Sequence, residues 1–147
     1  MEREHIAEAY FKKGYNCAQA VVLAFKDELG KSEGELAALA SSFGGGLARM
    51  REVCGAVSGA ALVFGMLHGF ADPTDQTAKK EHYRFVQEFA ERFKARSGGS
   101  IICRELLRGG TFESAHDLNY VDNAPIKKLP CVELVKLSAA IADEMLR

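Results

Sequence analysis

The middle of the chain reads EVCGAVSGAALVFGML from Glu52 to Leu67, and its small side chains recur at helical spacing. One face of the predicted helix carries Gly55, Ala56, Gly59 and Ala60. Because glycine inside a helix costs about 1 kcal/mol relative to alanine, the two glycines indicate a packing or site requirement. Two interpretations remain open, namely tight packing against another helix, or a cofactor site lined by Gly55 and Gly59.

The same helix lies in a stretch from Val53 to Ala71 that contains one histidine and no aspartate, glutamate, lysine or arginine. Five of these residues are glycine or serine, which leaves a low apolar density. A bilayer crossing needs roughly 20 predominantly apolar residues. We therefore expect a buried core helix rather than a membrane span.

Helical periodicity also dominates on both sides of this stretch, and no run of alternating apolar and polar residues is long enough to predict a sheet. The expected fold is all-α, a compact single-domain bundle of about five to seven helices over residues 1–147. Besides the central helix, the pattern predicts helices at Arg3–Lys13 (with Ile6, Ala9 and Tyr10 inward), Asn16–Leu29, Glu33–Ser42, from near Thr74 to Gly98, at Cys103–Arg108 and at Pro130–Arg147, with an irregular stretch at Gly109–Leu129.

Composition excludes several functional classes. The 147 residues are 48% hydrophobic and 27% charged, and nineteen basic against twenty acidic residues leave a formal charge of −1. A binder of nucleic acid or of anionic membranes would need a basic excess on one face. The charged N-terminus has no apolar signal-peptide core, so we expect a cytoplasmic protein. A redox partner protein and a homodimer are both compatible with this composition, and neither is specified by it.

Four cysteines are the candidate functional residues: Cys17, Cys54, Cys103 and Cys131. In a reducing compartment stable disulfides are uncommon, so we expect thiols, metal ligands or redox partners. Their separations of 37, 49 and 28 residues match no zinc knuckle, thioredoxin-type or haem-attachment motif. Spacing by itself therefore does not identify a metal.

Three of the cysteines begin a predicted helix in nearly the same local sequence: Cys17-Ala-Gln-Ala-Val, Cys103-Arg-Glu-Leu-Leu and Cys131-Val-Glu-Leu-Val. Backbone N–H groups without helical partners surround the first turn of a helix, and the helix dipole is positive there. That setting favours the thiolate, which is both the nucleophilic and the metal-ligating form. Any one of these cysteines could instead be a small core residue, but the repetition favours chemistry.

Other residues give weaker signals. The triple glycine Gly44–Gly46 lacks the Lys-Ser/Thr ending of a phosphate loop. Arg49, Arg51 and Arg104 could offset the charge of clustered thiolates, although each is also a plausible surface residue. Among the histidines only His68, at the end of the central helix, is kept as a reserve ligand.

Taken in order, several segments resemble a known family, the redox-active proteins named for a C_GCAxxG_C_C cysteine pattern. The segments are Gly14-Tyr-Asn-Cys17-Ala-Gln-Ala-Val, Phe43-Gly-Gly-Gly46, Cys54-Gly-Ala-Val-Ser-Gly59, Cys103-Arg-Glu-Leu-Leu and Cys131. The resemblance runs from about Ala9 to the last helix, although the central element here reads Cys-Gly-Ala rather than Gly-Cys-Ala. It implies a helical protein with a redox or cluster role. A similar domain occurs in split-Soret cytochromes, but their haem does not carry over because this chain has no Cys-x-x-Cys-His.

The leading hypothesis is that the four cysteines come from separate helices to form one redox centre. That centre is either an iron–sulfur cluster, whose usual ligand count is four thiolates, or a pair of exchangeable dithiols in which Cys17 attacks. A structural zinc site with the same four cysteines as metal ligands is the second hypothesis. A non-catalytic helical interaction module, without cofactor and with cysteines in its core, is the third.

Overall fold

The computed structural model describes residues 2–107 and 125–147, with side chains in the second range from Cys131 onward. These residues form eight α-helices, a 3₁₀ turn at Ser41–Phe43 and no β-strand, which confirms the all-α prediction. The helices are α1 (Arg3–Lys12), α2 (Cys17–Ala24), α3 (Lys26–Leu29), α4 (Glu33–Ala40), α5 (Gly55–His68), α6 (Gln76–Ser97), α7 (Cys103–Leu106) and α8 (Pro125–Leu146).

Helices α2 and α5 form the centre of the bundle, and α1, α6 and α8 pack around them. The close approach of α2 and α5 depends on Gly59, because a Cβ there would lie 2.8 Å from the carbonyl oxygen of Ala18. The largest fully buried side chains are those of Phe25, Phe64, Phe89 and Phe93. Helix α5 is thus the core helix that its small residues predict, and none of the described helices is both long and apolar enough to cross a bilayer.

Local signals account for several helix ends. Asn16 caps α2, and its side chain and that of Gln19 each accept the other residue's backbone N–H, at 2.9 and 3.0 Å. Gly30 ends α3 and Gly98 ends α6, both with the left-handed φ that glycine adopts without strain. These three ends lie where the sequence predicts them.

Other boundaries differ from the predictions. The single helix expected after Asn16 is divided at Phe25 into α2 and α3. In α1, Ile6 and Tyr10 pack against the core as predicted, but the fully buried residue is Ala7 and Ala9 is exposed. The central helix begins at Gly55 rather than Glu52, because the chain before it pairs with a distant segment. The last helix begins at Pro125, so part of the predicted irregular stretch is helical, and residues 109–124 of that stretch lie outside the described residues.

Arg3 joins the first helix to two other parts of the bundle. Its guanidinium, only 11% exposed, donates to the carbonyl oxygen of Ala24 at 2.8 Å and to the carboxylate of Asp27 at 2.7 Å. It also pairs with Glu28 and, at 3.3 Å, with Asp143 of α8. Because hydrogen bonds to charged groups are stronger than neutral ones, this network ties α1 to α3 and α8.

Asp143 makes this network pH-dependent. Burial raises the pKa of Asp143, but hydrogen bonds and charge from Arg147 and Arg3 outweigh burial and hold the pKa below its ordinary value. A lowered pKa in the folded state contributes stability above the unfolded value of about 4, and that stability is lost as pH falls through the folded pKa. We expect Asp143→Asn to lower the free energy of unfolding by about 1 kcal/mol at pH 7, since the carboxylate is partly exposed.

Urea unfolding at pH 7 and pH 3 measures this effect. The difference in the free energy of unfolding between wild type and Asp143→Asn should be smaller at pH 3 than at pH 7. Glu144→Gln is the matched control, because Glu144 pairs with Arg96 at 3.6 Å on the surface, where such pairs contribute little. If the free energy of unfolding differs between wild type and Asp143→Asn by the same amount at both pH values, the packing of the Asp143 side chain rather than its charge stabilises the protein.

Candidate cysteine centre

Three of the four cysteines lie at helix N-termini. Cys17 is the first residue of α2, Cys54 is the N-cap of α5, and Cys103 is the first residue of α7. The prediction is confirmed for Cys17 and Cys103, whereas Cys54 occupies a helix start that the sequence does not reveal. Cys131 was predicted to open a helix and does not, since α8 begins six residues earlier.

The sulfur of Cys17 lies against the first turn of α5. A Cβ on Gly55 would be only 2.4 Å from Cys17 Sγ and 2.8 Å from the carbonyl oxygen of Phe43. Real Cβ atoms essentially never make contacts under 3.0 Å. The hydrogen in place of a side chain at Gly55 therefore lets the Cys17 thiol lie beside the residue that follows Cys54.

A short antiparallel pairing brings together the segments that carry Cys54 and Cys103, with Cys54 opposite Ile101 and Cys103 opposite Glu52. The N–H of Cys54 donates to the carbonyl oxygen of Ile101 at 2.7 Å, and the N–H of Cys103 donates to the carbonyl oxygen of Glu52 at 2.6 Å. Between these bonds, Val53 and Ile102 form an isolated antiparallel bridge. Since antiparallel ladders place paired residues about 5 Å apart, the two cysteine-bearing segments are neighbours despite their separation in sequence.

Burial and the neighbouring cysteines both affect the pKa of Cys54. Burial raises the pKa of Cys54 well above its ordinary value, and charge on Cys17 and then on Cys103 would raise it further. The N–H groups of Ala56 and Val57 act in the opposite direction, although neither forms a capping hydrogen bond to the sulfur. Cys54 is therefore a protonated thiol at neutral pH unless a cation takes the place of its proton.

The loop before Cys54 has an unusual backbone. Five consecutive residues, 45–49, have positive φ, and Arg51 has φ 58°. Two of the five are glycines, but Leu47, Ala48 and Arg49 also adopt this left-handed conformation, which costs an ordinary residue roughly 1–2 kcal/mol. Conformations of this kind persist where the surrounding structure enforces them, and they concentrate at functional sites.

Hydrogen bonds to the preceding glycines hold this loop. The N–H of Arg51 donates to the carbonyl oxygen of Gly45 at 3.1 Å, and the N–H of Glu52 donates to that of Gly46 at 2.8 Å. A Cβ on Gly46 would lie 2.7 Å from Cys103 Cβ. The triple glycine thus lets the loop fold tightly against the cysteine segments. A comparison with phosphate-binding loops does not predict this role.

Arg51 is a charged residue that contacts a thiol. Its side chain is 3% exposed, and Nη1 donates to Cys103 Sγ at 3.7 Å. Arg104 has a different contact, since its Nη1 donates to the carbonyl oxygen of Arg51 at 2.9 Å and pairs with Glu52 at 3.2 Å. The sequence predicts Arg49, Arg51 and Arg104 together as residues that could offset thiolate charge. No local pattern distinguishes Arg51 from the other two, because its burial depends on the fold of the loop.

Cys131 is partly buried on the core-facing side of α8, one turn before the buried residues Leu134 and Val135. Two turns further along, Ser138 donates to the carbonyl oxygen of Ala56 at 2.7 Å, so this face of α8 meets α5 next to Cys54. A helix rises 1.5 Å per residue, which places Cys131 about 10 Å along the axis from Ser138. Contacts join the segments of Cys17, Cys54 and Cys103, and the position of Cys131 on α8 relates it to the Cys54 end of α5.

His68 does not belong to this centre. It is the last residue of α5, about 20 Å along the helix from its Cys54 end, and its ring contacts Phe85 and His82 instead. Within the described residues, one group of three candidate ligand atoms lies with every separation under 4.8 Å, and it consists of Glu2, Glu4 and His5 near the N-terminus. Among the described residues, no three cysteine sulfurs therefore lie within 4.8 Å of one another.

All four cysteines lie in the described residues, and none of them forms a disulfide bond. Gly55 and Gly59 face α2 in this structure, and their assignment to a cofactor site stays a prediction.

A family model described as "Putative redox-active protein (C_GCAxxG_C_C)" matches residues 15–145 of the chain. The matched range contains every cysteine and both glycine-rich segments of the site. A search of the curated proteins and a search of the solved structures each found no match.

Proposed function

The chain belongs to the C_GCAxxG_C_C family of redox-active proteins, and from that membership we propose that its cysteines hold an iron–sulfur cluster that transfers electrons. One observation carries the proposal, which is that Cys17, Cys54 and Cys103 lie at three helix N-termini whose segments contact one another. Any one of these cysteines could be a small core residue, but three at neighbouring helix starts favour chemistry.

The donor set fits such a cluster. Both common cluster types are held by four cysteine thiolates, and Cys131 on α8 supplies the fourth. Around one zinc ion, four sulfurs at 2.3 Å from the metal lie only about 3.8 Å apart. A cluster places its own iron and sulfide atoms between the ligands, so its thiolates are more widely spaced. Among the described residues no three cysteine sulfurs lie within 4.8 Å of one another, and this supports a cluster rather than zinc.

The surrounding residues match what a cluster needs. Cys54 and Cys103 are 4% and 7% exposed, so water is largely excluded from their sulfurs. Crowding thiolates in a dry site is unfavourable, as the raised pKa of Cys54 indicates, and bound iron would remove that cost by replacing the proton. Helix-start N–H groups and the Arg51 guanidinium further stabilise negative charge on the sulfurs. When bound, the cluster supplies one-electron transfer.

Thiol–disulfide exchange is the second candidate, and the greater exposure of Cys17 favours it. In that reaction the Cys17 thiolate attacks a disulfide of a partner protein, forming a mixed disulfide and releasing one partner thiolate. The Cys54 thiol then attacks the Cys17 sulfur, passes its proton to the departing sulfur, and releases the second partner sulfur as a thiol. The chain loses two electrons and gains a Cys17–Cys54 disulfide, while the partner disulfide becomes two thiols.

Purification without oxygen, followed by a visible spectrum and quantification of metals and sulfide, tests the proposal. We expect about two to four irons per chain, an equal amount of acid-labile sulfide, and visible absorbance that dithionite bleaches. Stoichiometric zinc without sulfide would support the structural zinc site instead. A colourless, metal-free protein that forms a Cys17–Cys54 disulfide would establish exchange, and one that forms none would leave an interaction module.

A further inference from the structure

We propose that Arg51 sets the reduction potential of the cysteine centre by holding its positive charge against the Cys103 sulfur. This inference rests on the proposed redox function and adds a residue outside the cysteine ligand set. Arg51 acts through Cys103 and is therefore a positioning and charge-compensating residue, not a ligand.

The contact is made inside the protein. The Arg51 side chain is 3% exposed, Cys103 is 7% exposed, and Nη1 lies 3.7 Å from Sγ. A charge buried this far from water is unfavourable unless opposite charge lies near it, and an electron-rich sulfur is such a partner. Because solvent and salt screen buried pairs much less than surface pairs, the effect of this guanidinium on the sulfur is strong.

The backbone around Arg51 is built to keep the guanidinium there. Arg51 itself has a left-handed φ of 58°, its N–H donates to Gly45, and its carbonyl oxygen accepts from the backbone N–H and from Nη1 of Arg104. Arg104 directly follows Cys103, so the two arginines fasten the loop and the cysteine segment to each other. A surface arginine with a flexible side chain would need none of these constraints.

The direction of the effect follows from charge. Uptake of one electron from an external one-electron donor adds one negative charge to the thiolate-ligated centre. A fixed positive charge beside Cys103 stabilises that reduced state more than the oxidised state. Loss of the Arg51 charge therefore makes the centre harder to reduce and moves its midpoint potential to more negative values.

We would measure the midpoint potential of the anaerobically purified protein by titration with redox mediators and dithionite. The variants are Arg51→Met and Arg51→Gln, which remove the charge, and Arg51→Lys, which keeps it. Arg104→Met is the matched control, since the backbone N–H of residue 104 still donates to the Arg51 carbonyl oxygen and holds the loop, and the Arg51 charge remains. Thermal unfolding of each variant shows whether it is folded under the assay conditions.

We expect the neutral variants to lower the ratio of reduced to oxidised centre about tenfold at a fixed ambient potential, a shift of about 59 mV for a one-electron couple. Arg51→Lys should recover most of that shift, and Arg104→Met should cause little. If Arg51→Met does not fold, Arg51→Gln and Arg51→Lys decide the question. A folded neutral variant with the wild-type potential would overturn the inference, as would an equal shift in Arg104→Met.

Iron and sulfide in the wild type test the cluster separately. If iron and sulfide are absent but a two-electron thiol couple is found, the same variants should move the midpoint potential of that couple in the same direction. For such a couple the shift is about 30 mV for each tenfold change in the ratio of reduced to oxidised protein. A wild-type protein without either couple would overturn the inference together with the proposed function.

Discussion

The Gly55→Ala variant is expected to unfold with a free energy about 2–3 kcal/mol below that of the wild type and to lose the cysteine centre. Its new methyl group would lie 2.4 Å from Cys17 Sγ and 2.8 Å from the carbonyl oxygen of Phe43. A backbone carbonyl cannot move as a side chain end can, so overpacking separates α2 from α5. Displacement of Cys17 then removes a ligand from the proposed cluster.

Gly65→Ala on the same helix is the matched control. Nothing lies within 4 Å of a Cβ built on Gly65, and the residue is exposed. Alanine there should stabilise the protein by up to about 1 kcal/mol through its higher helix propensity. Urea unfolding and iron content measured on both variants give the comparison. A Gly55→Ala protein with wild-type stability and iron would show that the close approach of Cys17 to α5 is not required.

The Cys54→Ser variant is expected to lose its iron and sulfide almost completely while its metal-free form remains as stable as metal-free wild type. Cys54 is the N-cap of α5 with φ −52° and ψ 131°, and its sulfur makes no capping bond. Serine is a preferred N-cap, and its hydroxyl can accept a helix-start N–H, which contributes about 0.5–2 kcal/mol. Serine is, however, a poor substitute for a thiolate ligand of iron.

Loss of iron without loss of stability distinguishes a redox centre from cysteines that serve only as core residues. Ser138→Ala is the control, because it removes a buried hydroxyl that donates to Ala56 and so lowers stability without touching a thiol. It should keep its iron and sulfide. A Cys54→Ser protein that keeps a full complement of iron would remove Cys54 from the ligand set and contradict the proposal.

Helix ends that depend on neighbouring residues could be predicted from the sequence. Asn16 and Gln19 are three residues apart, so the capping box between them needs no information from the rest of the chain. Gly30 and Gly98 end helices because glycine adopts a left-handed φ without steric cost. The inward face of α6, with Phe89 and Phe93 buried, also follows from periodicity.

The start of α5 could not be predicted in this way. Residues 52–54 continue the helical pattern, yet Glu52 and Cys54 hydrogen-bond to Cys103 and Ile101 instead. The residues that compete with the helix are about 50 positions away. For Cys131 the local pattern gives a wrong prediction. The Cys131 segment resembles the Cys17 and Cys103 segments and so predicts a helix start, but Cys131 lies in the second turn of α8.

The sequence by itself determined the helical class of the protein and predicted four cysteines as its candidate functional residues, because periodicity and thiol chemistry are properties of local sequence. Tertiary structure decided which cysteine-bearing segments lie next to each other and that Arg51 contacts Cys103. Cys17, Cys54 and Cys103 are separated by 37 and 49 residues, so their meeting depends on how closely α2 approaches α5 at Gly55 and Gly59. The contact between Arg51 and Cys103 depends likewise on a left-handed loop that only the packed neighbours hold in place.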